Sequence, residues 1–569
     1  VGIQRRAATE IAEGTATQIA QVFRSGSGRA LTTALCRKLR TQVMEGISAA
    51  HPSTHQRPLR QATAGVGVLA ALVPVVAILC ATDVAAQAAP APRQWTVVTL
   101  PAPVATGGVP ASFAEPGIVI GADGTALVDA ASANTGAPPA FWLSHDAAAT
   151  WGPGHDVDAS GASTGDADAA IGSDGWMYAL NLGYTTSPPP AQPSNPTVQV
   201  YSSRDGAQWS GPATFPPPHG VDQPDRPWLA VDPRHPADVD VVNSEVGGNI
   251  VMWRSTDHGA TFAGPTPVTG GANGQAALAL SSRPLFDPSA DGRLFMLYET
   301  TSTAAGVLDP SGYEFPMTQV WLAESTDSGS SWTNTLVLDA SALPDPAMDG
   351  TVAHLLVASA IDPSGNLFTA FALRPSAGTA THVEVIHSTD HGQSWSSPVQ
   401  VAAATASNVM PALAAGAGGS IDISWYGSPA ADFRDTSARW SEMFAESSNA
   451  LSAQPSFTVS QVTGVQPVHV GALDTAGAVG SDAGANWGLR DFQSLALDAC
   501  GQPHPVWADD VGHVTQTAAS GAVACTAGTV VVSEQPTPAL LVLGGVVGAV
   551  VVGLRRRARR RGARAPARP

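Results

Sequence analysis

Three arginines recur in one local setting, each beside a proline or an acid and just ahead of an apolar strand: Asp225-Arg226-Pro227, Ser282-Arg283-Pro284 and Leu489-Arg490-Asp491. A guanidinium presents paired N–H donors that match a carboxylate, so several brought together could clamp an acidic ligand. Just after other strands stand Asn243-Ser244-Glu245, Tyr298-Glu299, Ser424-Trp425-Tyr426-Gly427 and Ala508-Asp509-Asp510. A phenol next to a carboxylate can be made nucleophilic, and a partly buried carboxyl can hand a proton to a leaving group. The same residues have a plainer use. Arg226 and Arg283 could pair with neighbouring acids such as Asp225 and Asp287 and so join structural units in a very acidic protein, and Tyr298-Glu299 could end a strand without chemistry.

What must position these residues is a repeat. Ser144-His145-Asp146, Ser203-Arg204-Asp205, Ser255-Thr256-Asp257, Ser325-Thr326-Asp327 and Ser388-Thr389-Asp390 each run on to an aromatic, at Trp151, Trp209, Phe262, Trp332 and Trp395, in steps of 52 to 70 residues. Gly206, Gly259, Gly329 and Gly392 stand inside four copies; Ala148 takes that place in the first, and the second copy is one residue short. Such a period means one supersecondary unit used many times. The residue types predict a hairpin turn: Asp146, Asp205, Asp257, Asp327 and Asp390 fold their carboxylates onto backbone N–H groups ahead, glycine takes a positive φ, and the aromatic turns inward. Short alternating strands precede the turns, as in Gln199–Ser202 and Val383–Ile386. A second element, an apolar strand followed by an Asp, Gly or Pro turn, appears seven times: at Asp123-Gly124, Asp174-Gly175, Asp232-Pro233, Asp287-Pro288, Asp362-Pro363, Gly418-Gly419 and Asp498.

Ser-x-Asp-x-Gly-x-Thr/Ser-Trp at strand–turn–strand positions resembles the Asp-box of bacterial sialidases and related propellers. The resemblance implies an all-β propeller of four-stranded blades. The second repeat favours seven blades, with six as the alternative because catalytic sialidase domains have six; Gln94–Leu100 is the strand that would close the ring. It also implies a site on the face opposite the boxes, where Arg226, Arg283 and Arg490 would hold a substrate carboxylate. Tyr426 or Tyr298 would be the nucleophile, Glu245 or Glu299 its base, and Asp225 or Asp222 the acid/base. One departure counts against hydrolysis: the family's first arginine precedes the first box, and here no Arg or Lys lies between Arg93 and Arg204. Two functions therefore stay open, an exo-α-sialidase and a non-catalytic propeller that binds glycan or protein at the cell surface.

The ends differ from the middle. Residues 1–56 form a leader of doubtful reality, and Arg57, Arg60, an apolar run from Ala64 to Ala81 and Ala86-Gln87-Ala88 read as a signal peptide over 57–88. The propeller is expected over 89–532, a linker over 533–538, an apolar membrane helix over 539–554 and an arginine-rich cytoplasmic tail over 555–569. This makes an exported, surface-anchored protein, expected to be monomeric and to meet glycans or cell-surface glycoconjugates. Between 89 and 554 eleven arginines face 42 acidic residues, a balance that repels phosphate and excludes nucleic acid. Cys500 and Cys525 are the two cysteines of the exported part, and a structural disulfide between them is expected. With no further cysteine and no His pair at ligand spacing, neither a metal nor a cofactor is expected.

Overall fold

The computed structural model describes residues 93–519 apart from 102, 104–112, 133–137, 158–162, 186–193, 216–223, 246–248, 270–277, 302–316, 341–350, 375–379, 402–404, 474–488 and 510–513. The expected leader, signal peptide, linker, membrane helix and tail lie outside the described residues, as does Cys525. Among the described residues no helix is long and apolar enough to cross a membrane.

Seven antiparallel sheets follow one another along the chain. Their first strands are Phe113–Ile120, Ser163–Ile171, Pro224–Val231, the pair Leu278–Ser281 and Leu285–Phe286, Thr351–Ile361, Ser407–Ala415 and Ser494–Leu497. Each first strand packs against the next sheet, and the strands at Ser494–Leu497 and Pro503–Ala508 pack against Phe113–Ile120, so the series closes on itself as a β-propeller. Closure is also made within one sheet by hydrogen bonds. Trp95–Thr99 pairs with Val514–Ala519, Trp95 opposite Ala519 and Thr99 opposite Thr515, so the first strand of the chain completes its last sheet and covers an edge that would otherwise be exposed.

The expectation of seven four-stranded blades is not met. Among the described residues six sheets hold four strands or more and so make six full blades, and the first holds three strands: Phe113–Ile120, Ala126–Ser132 and Ala140–Ser144. After its turn the chain makes a single bridge, Phe141 with His155, where the other sheets build a fourth strand.

The core lies between sheets. Leu127 and Phe141 of the first sheet pack with Ala169 and Tyr201 of the second, and Leu180 and Val200 of the second with Leu229 and Trp253 of the third. Each Ser–Asp turn is closed by its own hydrogen bonds. In the fifth sheet Ser388 Oγ donates to Asp390 Oδ1 (2.8 Å) and accepts from Gly392 N (2.8 Å), while Asp390 Oδ1 also accepts from Ser394 N (2.9 Å). The same bonds recur around Asp146, Asp257 and Asp327. In the shortened second copy Asp205 Oδ1 takes Ala207 N and Gln208 N instead, both at 2.9 Å. The sixth sheet lacks the Asp yet keeps the design, because Ser447 Oγ donates to Asn449 Oδ1 (3.1 Å), which also accepts from Ser456 N (2.9 Å).

Glycine is needed here for two reasons. Gly392 has φ +83°, and a Cβ on it would sit 2.1 Å from Leu322 Cδ2 of the preceding sheet; at Gly206 (φ +67°) the clash would be with Leu143 Cδ2 at 2.5 Å. The turns between first and second strands lie at the same end, since Ser328 N donates to Gly292 O (2.8 Å) and Ala147 N to Gly124 O (2.8 Å). The other end of the ring is left to different chemistry.

Candidate functional site

At that other end, first strands are interrupted by bulges. Pairing with the second strand skips Glu115-Pro116, Gly165-Asp166, Arg226-Pro227 and Met410-Pro411 in the first, second, third and sixth sheets. Glu115 (φ +55°), Arg226 (φ +50°), Met410 (φ +53°) and Arg490 (φ +56°) all take the left-handed conformation that non-glycine residues rarely adopt. A bulge re-aims its side chain away from the regular pleat, and repetition in successive sheets gathers those side chains in one place.

Arg226 anchors the group. Its main-chain N–H donates to Asp166 Oδ2 (2.8 Å), its Nη2 pairs with Asp491 Oδ2, and its Nε lies 4.0 Å from Asp225 Oδ2. Arg490 donates from Nη2 to Ser132 O (3.0 Å) and places Nη1 3.7 Å from Glu115 Oε2. Arg226 and Arg490 thus share one electrostatic cluster with Glu115, Asp166, Asp225 and Asp491. Arg283 belongs to a second. Its Nη2 pairs with Asp168 Oδ1, its Nε donates to Asp168 Oδ2 (3.4 Å), and its guanidinium carbon lies 5.5 Å from the Trp228 ring centroid.

The Arg283–Asp287 pairing considered from sequence is corrected: Asp287 faces Arg293 (3.7 Å) and His391 (3.2 Å) instead. Arg226 does lie beside Asp225, though its closer partner is Asp491 from the last sheet.

These surroundings set the protonation of the acids. Burial first, then the charge of Asp168, pushes the Asp129 carboxyl up to about 8, and burial and Asp166 raise Glu115 well above the usual carboxylate range. Asp168 is also raised by burial, against the pull of Arg283. Asp225 differs in keeping 40 % of its side chain exposed. Desolvation pushes it up to about 6, Arg226 opposing and Asp166 and Asp491 assisting. Its side chain is the more open one beside Glu115, Asp129, Asp168 and Asp491, which are all buried.

The two tyrosines lie inside the layers between sheets. Tyr426 is fully buried between the sixth and seventh sheets, where its hydroxyl accepts from Ala508 N (3.1 Å). Burial, then Glu442 directly opposite it in the ladder, raises the phenol well above its ordinary value. Tyr298 is buried between the third and fourth sheets and donates to Asn334 Oδ1 (2.7 Å); Glu299 beside it is fully buried. Glu245 ends the strand Val239–Glu245, paired with Pro224 and Asn249, and Asp222 lies outside the described residues. Cys500 is disulfide-bonded, and the other cysteines all lie outside the described residues.

Sequence reasoning missed Glu115, Asp166, Asp168, Asp129 and Glu442. The signal for two of them was present: Glu115-Pro116 and Gly165-Asp166 hold the place in their strands that Arg226-Pro227 holds in the third. On the turn face Asp232, His235 and Asp238 bring ligand-type atoms within 4.8 Å of one another, but Arg254 already pairs with Asp238 (2.6 Å), so a cation entering there would displace a guanidinium.

No protein-family model and no curated protein sequence matches the chain. Solved structures do. An ulvan lyase bound to a -[GlcA(1-4)Rha3S]- ligand matches with TM-score 0.46 and 11 % identity over 74 % of this chain and 95 % of its own. A protein of unknown function from Dyadobacter fermentans matches with TM-score 0.42 and 13 % identity over 75 % and 98 %. The intramolecular trans-sialidase of Ruminococcus gnavus matches with TM-score 0.36 and 13 % identity over 71 % and 93 %. The class defined by the sheets themselves is the β-propeller.

Proposed function

We propose that the protein is a glycan-acting propeller whose site is the bulge face around Arg226, with Asp225 as its proton donor. The observation that carries this reading is Asp225 itself, 40 % exposed beside Arg226 where Glu115, Asp129, Asp168 and Asp491 are buried, and pushed up to about 6. A carboxyl so placed is protonated in mildly acidic solution and can protonate a glycosidic oxygen as the bond breaks. Arg226 holds the site's geometry, and Asp166, which fixes the Arg226 main chain, is the neighbouring carboxylate that would polarise water. The narrower form, an exo-α-sialidase at the cell surface, would need Arg226 and Arg283 free to take a sugar carboxylate, and their pairing with Asp491 and Asp168 weighs against it.

The test is a panel of fluorogenic glycosides, a sialoside included, offered to the full chain and to Asp225→Asn. Turnover should fall by about 10²–10⁴-fold in the variant, and the wild-type rate should decline as pH rises through about 6, where the donor loses its proton. No turnover of any glycoside would refute catalysis. A second reading, a non-catalytic glycan-binding propeller, is favoured by the two tyrosines, whose hydroxyls are engaged inside the protein. It predicts saturable glycan binding without product release.

A further inference from the structure

We propose that Asp491 and Asp168 are built-in carboxylate ligands that occupy Arg226 and Arg283, so that the bulge face selects uncharged glycans and turns away sugars carrying a carboxylate. The proposal rests on the bulge face being the glycan site. Arg283 meets Asp168 through two nitrogens and two oxygens, Nη2 with Oδ1 and Nε with Oδ2, the side-on fork in which arginine ordinarily receives a substrate carboxylate. Asp168 comes from the second sheet and Arg283 from the fourth, and Asp168 Oδ2 is fixed further by Leu229 N at 2.7 Å. Arg226 of the third sheet pairs with Asp491, and the two side chains are only 8 % and 2 % exposed.

A sugar carboxylate would therefore have to displace a carboxylate already in place, desolvated and tethered to the fold. The tethered group wins because it loses no translational freedom on pairing. An uncharged sugar needs no such displacement: its hydroxyls can meet Asp225 and the exposed part of Arg283, 32 % of whose side chain is open to solvent.

The test removes the internal ligand. In Asp491→Ala or Asp168→Ala a carboxylate-shaped space opens against the arginine, and acetate should fill it. The melting temperature of the full-length variant should rise with acetate concentration but not with chloride at equal ionic strength, while wild type responds to neither. N-Acetylneuraminate and glucuronate should bind at least about tenfold more tightly to the variants than to wild type by calorimetry. If Asp491→Ala fails to fold, Asp168→Ala carries the same measurements at Arg283. Wild type binding glucuronate or N-acetylneuraminate as tightly as glucose would overturn the proposal. So would folded variants that gain neither acetate rescue nor affinity. If no sugar binds wild type but acetate rescues the variants, the internal ligands stand and the glycan-site reading falls.

Discussion

Ser388→Ala isolates what the repeated turn contributes. Ser388 is 1 % exposed, and its hydroxyl both donates to Asp390 and accepts from the buried Gly392 N–H at 2.8 Å. Deleting it strands that N–H without an acceptor, a loss of about 1–3 kcal/mol, and weakens the seat of a carboxylate. We expect about 2–3 kcal/mol from urea unfolding at pH 7, with the slope unchanged. Asp390→Ala should cost less, about 1–2 kcal/mol, because the Ser394 groups it frees are exposed and water replaces it there. Since the two residues share one bond, the double variant should fall short of the sum of the single losses by about 1 kcal/mol.

Acid supplies an independent reading of the same turn. The Ser394 side chain and N–H and the Ser388 hydroxyl hold Asp390 down at about 2. A depressed carboxylate contributes its stability above the ordinary carboxylate range near 4 and loses it as pH falls towards 2, so wild type and Asp390→Ala should converge on acidification. A Ser388→Ala loss below about 0.5 kcal/mol, or strict additivity in the double variant, would refute the view that the hydroxyl and carboxylate act as one unit.

Gly392→Ala should destabilise by more than about 2 kcal/mol, since φ is +83° and the new Cβ would meet Leu322 Cδ2 at 2.1 Å; thermal unfolding measures it. Ala148→Gly in the first copy, where Ala148 holds φ +62°, should instead raise stability by about 0.5–1 kcal/mol. Gly117→Ala should also destabilise, because a Cβ there would lie 2.3 Å from Asp129 Oδ2. Asp422 is pushed up to about 7 by burial, against the pull of Arg93. A raised carboxyl disfavours the fold as pH climbs from the ordinary range through 7, so Asp422→Asn should stabilise the protein at pH 8 and change little at pH 4, read from urea midpoints at both pH values.

The turns were legible because their chemistry is local: Ser388, Asp390, Gly392 and Ser394 find one another within seven residues, and their types state the geometry. Even the sixth turn, which lacks an Asp, shows the design once Asn449 is seen to offer the same acceptor oxygen. Ring closure was legible for a similar reason, since Trp95–Thr99 is an apolar strand with no neighbour of its own in sequence. The short first sheet was not, because Trp151–His155 carries the same Gly-Pro pair as the fourth strands Ser210–Phe215 and Ala263–Pro267, yet makes a single bridge among the described residues.

The site divides differently. The positions of Arg226, Arg283 and Arg490 could be found by register, since each stands just ahead of the apolar part of a first strand. Their partners could not, because the ion pairs of Arg226 with Asp491 and of Arg283 with Asp168 join residues 265 and 115 positions apart. With acids nearly four times as numerous as arginines in this stretch, sequence proximity has no power to choose among them, and the adjacent Asp287 is taken by Arg293 and His391 while Arg283 reaches to another sheet. That freedom of choice is what gives the site its character. Arg226 and Arg283 are closed by Asp491 and Asp168, while Asp225 beside Arg226 keeps 40 % of its side chain exposed. The charge this face presents is therefore decided by which carboxylates the ring brings to the arginines.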